Sequence, residues 1–76
     1  MKYRVFITFK NGILDPESEA IKKTIHNIGY KNLKNISRGK FFDIELKKKS
    51  EKTINDITKE ILSNPVIEDF KIKIID

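Results

Sequence analysis

Apolar and polar residues alternate with a period of two near both ends of the chain, and with a period close to 3.6 at two places inside it. From Lys2 to Lys10, Tyr3, Val5, Ile7 and Phe9 share one face of a strand and Arg4, Phe6, Thr8 and Lys10 the other. Asn11-Gly12 turns the chain, and Asp15-Pro16 opens a helix: Asp caps the orphan amides, and Pro at the first helical position gives up no hydrogen bond. Ala20, Ile21, Thr24, Ile25 and Ile28 then form one stripe, closed by Gly29 at the left-handed position beyond the helix. Leu33 to Arg38 reads as a short second strand, turned by Gly39-Lys40 into a third, Phe41 to Leu46. Ser50 caps a second helix whose stripe is Ile54, Ile57, Thr58, Ile61 and Leu62, and Asn64-Pro65 forces the chain out of it. From Asp69, Phe70, Ile72 and Ile74 alternate with Lys71, Lys73 and Ile75 in a last strand.

The order strand, helix, strand, strand, helix, strand (βαββαβ) predicts one α+β domain spanning residues 1–76: a two-layer sandwich, two helices on one antiparallel sheet, ferredoxin-like. Val5, Ile7, Phe9, Phe42, Ile44, Phe70, Ile72 and Ile74 face the helices in this reading. Phe6, Phe41 and Ile75 fall on the opposite face among charged residues, a mixed surface that calls for a cover, and they are the candidate self-association residues.

Size adds a constraint. An 8.9 kDa chain buries roughly 8,000 Å² on folding and keeps about 4,800 Å² exposed. With about 60% of the buried area apolar, a gain of about 120 kcal/mol meets an ordering cost of about 115 kcal/mol, so a lone protomer is marginal. The absence of cysteine removes disulfides, thiolate metal sites and a Cys nucleophile as remedies, and leaves association. No apolar run is long enough for a signal or a membrane span, which sets cytoplasmic as the expected location. The net charge of +5 invites an anionic partner, but Lys47-Lys48-Lys49 is the only basic run and reads as a solvated loop.

The search for chemistry is nearly empty. His26, the single histidine, points away from the apolar stripe of its helix and reads as a solvated surface residue. Asp43 and Glu45 share a strand face, but among lysines on an open sheet nothing separates their proton affinities as acid–base catalysis needs. The three glycines are isolated, so no phosphate cradle exists. Hence no catalytic, cofactor-binding or metal-ligating residue is assigned. An RNA- or DNA-binding module with a ferredoxin-like sheet is the alternative function: Arg38-Gly39-Lys40-Phe41-Phe42-Asp43-Ile44-Glu45 opens like an RNA-reading strand. Lys40 stands where an aromatic belongs, and Asp43 and Glu45 put negative charge where phosphate would lie.

Two longer motifs carry a resemblance. Lys10-Asn11-Gly12-Ile13-Leu14-Asp15-Pro16 with Ala20-Ile21, and Leu62-Ser63-Asn64-Pro65-Val66-Ile67-Glu68-Asp69-Phe70, resemble the PurS family, with Ile28-Gly29-Tyr30 and Ser37-Arg38-Gly39-Lys40-Phe41 in order between them. Glu17-Ser18, Ser63 and Phe70 depart from common family residues and remove no known functional group. The resemblance implies a PurS-like fold and a non-catalytic subunit of phosphoribosylformylglycinamidine synthase in de novo purine biosynthesis. Its expected partners are a glutaminase subunit (PurQ) and a synthetase subunit (PurL), which it bridges while supporting ammonia transfer. ATP and Mg²⁺ would belong to the synthetase partner and none to this chain. It also implies a homodimer, with pairing into a tetramer left open, strands exchanged or lengthened across it, and neither nucleic acid nor membrane as partner. The residues expected at the partner interface are Gly12, Leu14, Asp15, Arg38, Gly39, Lys40, Asn64, Pro65 and Val66. Turn and cap chemistry explains Gly12, Asp15, Pro16, Gly39 and Pro65 equally well; for Arg38, Lys40 and Asn64 an internal need is less obvious.

Overall fold

The computed structural model describes residues 1–76. The elements are β1 (Lys2–Phe9), α1 (Pro16–Asn27), β2 (Gly39–Glu45), α2 (Glu51–Ile57), a π-helical turn (Thr58–Leu62) that continues α2, and β3 (Glu68–Ile74). The strands form a single three-stranded antiparallel sheet with β1 in the centre, in the order β2-β1-β3. This is the α+β class that the periodicities predict, with one strand fewer.

The expected strand over Leu33 to Arg38 joins no ladder. Its two apolar residues, Leu33 and Ile36, are three apart, so a strand would point them to opposite faces. The Leu33 carbonyl is instead taken by the His26 ring, with Nε2 2.8 Å away. His26 is therefore half-buried and ties the end of α1 to the following segment, correcting the expectation of a solvated side chain. Gly39 is likewise not a hairpin turn. It is the first residue of β2, opposite Thr8, and a Cβ there would lie 2.5 Å from the Ile7 carbonyl oxygen and 2.9 Å from Thr8 Cγ2.

The core is small. Tyr3, Val5 and Ile7 from the inner face of β1 meet Ile54 of α2, and Met1, Ile44, Leu46, Leu62, Phe70 and Ile72 pack around them half-buried. Tyr3 also accepts the Ser50 amide on its hydroxyl at 3.3 Å, which docks the start of α2 on the strand. Ser50 Oγ then caps the helix by accepting from the Thr53 amide. At the other end the buried Thr58 hydroxyl donates to the Ile54 carbonyl at 2.7 Å, and the last turn widens so that the Ser63 amide reaches the Thr58 carbonyl at 3.0 Å.

The helix α1 is built as expected at both ends. Asp15 caps it, and the Gly29 and Tyr30 amides donate back to the His26 and Ile25 carbonyls, with Gly29 at φ +113°, a Schellman closure. Its apolar stripe nevertheless covers nothing: Ser18 is its only buried residue, and Ile28 is 68% exposed. The expected second layer is thus supplied by α2 alone, while α1 lies beyond the sheet. Strands of eight residues span only about 27 Å, yet the molecule measures 50 × 27 × 14 Å. Its radius of gyration of 16.0 Å compares with about 11.4 Å for a compact chain of this length. The accessible surface is 6014 Å², about 1,200 Å² above that of a compact protein of this mass.

Gly39→Ala should lower stability by about 1–3 kcal/mol, because the new methyl must push β2 off the Ile7 carbonyl. Gly12→Ala strains only a turn at φ +86° with open space around it and should cost about 1 kcal/mol. Urea denaturation of both variants checks the order, and a harmless Gly39→Ala would refute the close-approach account.

Candidate partner interface

Residues far apart in sequence converge on one end of the sheet, where β1 finishes and β2 and β3 begin. The register sets Ile7 opposite Lys40, Thr8 opposite Gly39, and Phe9 opposite Glu68, and the Lys10 amide then reaches the Ile67 carbonyl at 2.9 Å. A cleft of about 610 Å³ opens at this end between the β1–α1 turn and the segment leading into β2. Gly12, Asp15, Arg38 and Gly39 line it, joined by Asn11, Asn35 and Ser37. Smaller hollows adjoin it through Arg38, Gly39 and Lys40 on one side and Lys10, Glu68 and Pro65 on the other. Leu14 and Val66 are strongly exposed at 69% and 78%; neither lines the cleft.

Three of these residues have clear internal work. Arg38 clasps the start of α1: its Nε lies 3.1 Å from Asp15 Oδ2, and its Nη2 lies 3.1 Å from both Asp15 Oδ1 and Glu17 Oε2. The same guanidinium stands 5.9 Å from the centre of the Phe9 ring. Asn64 builds an Asx turn across Pro65, its Oδ1 accepting from the Val66 amide at 3.0 Å while its carbonyl accepts from Ile67 and Glu68. Lys40 approaches Glu68 at 3.9 Å and stands over Phe42. Glu68 lies within the second motif but not among the residues expected at the interface, yet it holds this corner together by also accepting from the Asn64 amide at 2.7 Å. Its position four residues after Asn64 is the signal that reveals it.

Asp15 is the electrostatic centre of the cleft. Burial would raise its carboxyl, but hydrogen bonds from Ser18 and the charge and hydrogen bond of Arg38 outweigh that and hold it below the ordinary Asp value. No cluster of three or more His, Asp or Glu side chains is arranged to hold a metal, and no helix is long and apolar enough to cross a membrane.

The outer face of the sheet gathers the candidate self-association residues differently. Phe6 and Phe41 lie opposite each other with ring centroids 6.2 Å apart. Arg4 stands 4.8 Å over Phe41 and Lys73 6.0 Å over Phe6, so cations partly cover both rings. Arg4 is also bound in a two-point pair to Asp43, at 2.7 and 3.0 Å. That hydrogen bonding holds the Asp43 carboxyl below its ordinary range against the opposing pull of desolvation. Ile75 sits toward the other end, its amide donating to the Lys2 carbonyl at 3.0 Å.

The PurS model, described as phosphoribosylformylglycinamidine (FGAM) synthase, matches residues 2–76. The chain belongs to the PurS family. Among curated PurS relatives, the phosphoribosylformylglycinamidine synthase subunit PurS of Methanocaldococcus jannaschii is 34% identical over 96% of this chain and 93% of its own length. The crystal structure of PurS from that organism, described as one of the subunits of formylglycinamide ribonucleotide amidotransferase in the purine biosynthetic pathway, superposes with a TM-score of 0.81. It is 35% identical to this chain, covering 95% of it and 92% of the solved chain. A chain in the structure of PurLQS from Thermotoga maritima, 20% identical, shares the fold with a TM-score of 0.79 over 95% of this chain and 93% of its own. The PurS fold therefore includes the elongated protomer seen here, and the family is that of a synthase subunit.

Because the Asp15 carboxyl is depressed in the fold, the unfolded chain takes up its proton first as the pH falls. The clasp's contribution is full above the unfolded Asp value of about 3.9 and is lost as the pH drops through the lower folded value. An NMR titration of the Asp15 carboxyl should give a midpoint below that of a free Asp side chain, and Arg38→Ala should move it upward. A midpoint indifferent to Arg38→Ala would contradict the clasp.

Proposed function

We propose that this PurS-family chain is a non-catalytic bridging subunit of phosphoribosylformylglycinamidine synthase. It seats a glutaminase subunit (PurQ) and a synthetase subunit (PurL) in register and helps close the path by which ammonia passes between them. ATP and Mg²⁺ are the synthetase's, the complex works in the cytoplasm, and this chain acts as a homodimer. The carrying observation is that residues from distant motifs (Gly12, Asp15, Arg38, Gly39, Lys40, Asn64 and Pro65) converge on one sheet end and are braced there by internal bonds. A surface braced in this way spends little conformational entropy when a larger protein docks on it. The names of the relatives, synthase subunit and amidotransferase subunit, support the same reading, as does the complex named PurLQS among the chains of the same fold.

A closed route has a chemical reason. Ammonia released into water at neutral pH is protonated and loses its nucleophilic lone pair, so transfer between sites requires a shielded path. Within this reading Leu14 and Val66, both strongly exposed beside the braced end, supply the apolar contact, and Arg38 and Lys40 orient the polar rim. The nucleic-acid alternative loses support from the outer face. Arg4 is committed to Asp43, and Asp43 and Glu45 put two carboxylates on the face that would meet phosphate.

Reconstitution provides the test. Adding this chain to the glutaminase and synthetase should restore glutamine-dependent formation of the amidine, while synthesis from added ammonium salts should need it far less. Leu14→Glu and Val66→Glu, both at positions exposed in the protomer, should weaken the glutamine reaction selectively. Equal glutamine-dependent rates with and without the chain would end the proposal.

A further inference from the structure

The turn between β1 and α1 holds a pair of residues whose covalent chemistry the docking role does not use. Asn11 is followed by Gly12, and the side-chain carbonyl carbon of an asparagine lies within ring-closing reach of the next residue's backbone nitrogen. Attack by that nitrogen expels the side-chain amide as ammonia. A bulky following residue obstructs the attack, and glycine, without a Cβ, does not. A fold blocks the reaction by holding the asparagine side chain, by tying up the following N–H, or by crowding the turn.

None of these blocks is present at Asn11. Both turn residues are exposed. The turn is closed by one bond, from the Ile13 amide to the Lys10 carbonyl at 3.1 Å, and the Gly12 N–H donates to nothing. Side-chain hydrogen bonds nearby join Asp15 to Ser18 and Arg38 and leave the Asn11 amide group unbonded. Gly12 stands at φ +86° with nothing within 4 Å of where a Cβ would lie, so no neighbour resists a shift of its nitrogen. The other asparagines are worse placed. Asn27, Asn32 and Asn35 precede Ile, Leu and Ile, whose side chains crowd the attacking nitrogen. Asn55 lies within α2 with its Nδ2 donating to the Glu51 carbonyl at 2.8 Å, and Asn64 precedes Pro65, which has no N–H.

We propose that Asn11 is a deamidation site whose product alters the cleft at the braced sheet end. The Gly12 nitrogen bonds to the Asn11 side-chain carbonyl carbon, and its proton leaves with the departing nitrogen as ammonia, closing a succinimide ring. Water then opens the ring. Opening at the side-chain carbonyl gives aspartate; opening at the main-chain carbonyl gives isoaspartate, in which the chain runs through the side-chain carbon. Nothing is oxidised or reduced, and water is the only co-reactant. Either product adds a carboxylate to a cleft that already holds Asp15 and Glu19, and lowers the net charge of +5 by one. Isoaspartate also lengthens the backbone inside the turn that Ile13 closes, just ahead of the Asp15 cap. This deepens the assembly reading and rests on it for its consequence: a subunit left unassembled loses the shape of its docking end with time, whereas a partner seated there shields the turn.

The test incubates the full folded chain at mildly alkaline pH and follows it by peptide mapping in the mass spectrometer and by isoaspartyl methyltransferase labelling. The first peptide to exchange NH2 for OH should be the one that holds Asn11, and the isoaspartyl label should fall at the same position. Asn11→Gln should remove both signals, because the longer side chain must close a larger ring. Gly12→Ala should slow conversion about tenfold, a barrier rise of about 1.4 kcal/mol. The proposal is overturned if another asparagine converts first, if Gly12→Ala leaves the rate unchanged, or if the folded chain keeps Asn11 intact over a period in which the urea-unfolded chain converts it. Adding the glutaminase and synthetase should slow conversion of the native chain. Equal rates with and without them, in a complex that still carries out the glutamine reaction, would overturn the shielding while the deamidation and the bridging role both stand.

Discussion

Strand β1 is the one element paired along both edges, and its inner face supplies Tyr3, Val5 and Ile7 to a core that otherwise contains a single fully buried apolar side chain, Ile54. Everything else in the protomer is attached to this strand. β2 and β3 hydrogen-bond to its edges, and α2 is held over its inner face by Ile54 and by the Ser50 amide on the Tyr3 hydroxyl. A core of that size cannot also bury α1, and the surplus of exposed surface is the direct consequence.

The protomer thus divides its surface by how it is stabilised. At the sheet end, polar groups are answered from within: Arg38 by Asp15 and Glu17, Asn64 by Val66, and Glu68 by Asn64 and Lys40. No buried side-chain polar atom is left without a partner. Such a region keeps its shape without help, as a docking platform should. Along α1 and the groove on the inner face of the sheet the unanswered surface is apolar instead, and it gains free energy only by being covered. The proposed assembly role has use for both: one surface rigid enough to position other proteins, and one whose apolar area gains free energy on being covered.

Much of this was legible along the chain. The strict alternation of Tyr3, Val5 and Ile7 with Arg4, Phe6 and Thr8 announced the central strand and its buried face. Asp15-Pro16, Gly29 and Ser50 marked helix ends that the capping bonds reproduce. These features are local, since each depends on residues within one turn or one strand. The segment from Leu33 to Arg38 shows where local reasoning fails. Its composition is compatible with a strand, but a strand exists only if another edge receives it, and the spacing of Leu33 and Ile36 gives neither face a continuous apolar row. The wrong second strand then misplaced Gly39, whose real constraint, a backbone carbonyl 2.5 Å from any Cβ, comes from a residue thirty-two positions earlier, Ile7.

The amino-acid sequence by itself determined the helices, three of the strands, the buried face of β1, the α+β class and the family resemblance, because periodicity, caps and motifs are short-range properties. Only the tertiary structure decided that Arg38 and Lys40 are braced by acidic residues, that His26 holds a loop, and that α1 leaves the sheet uncovered. Those outcomes depend on which side chains meet across long stretches of chain and on how much area one small core can cover, and neither quantity is written in any local stretch of residues.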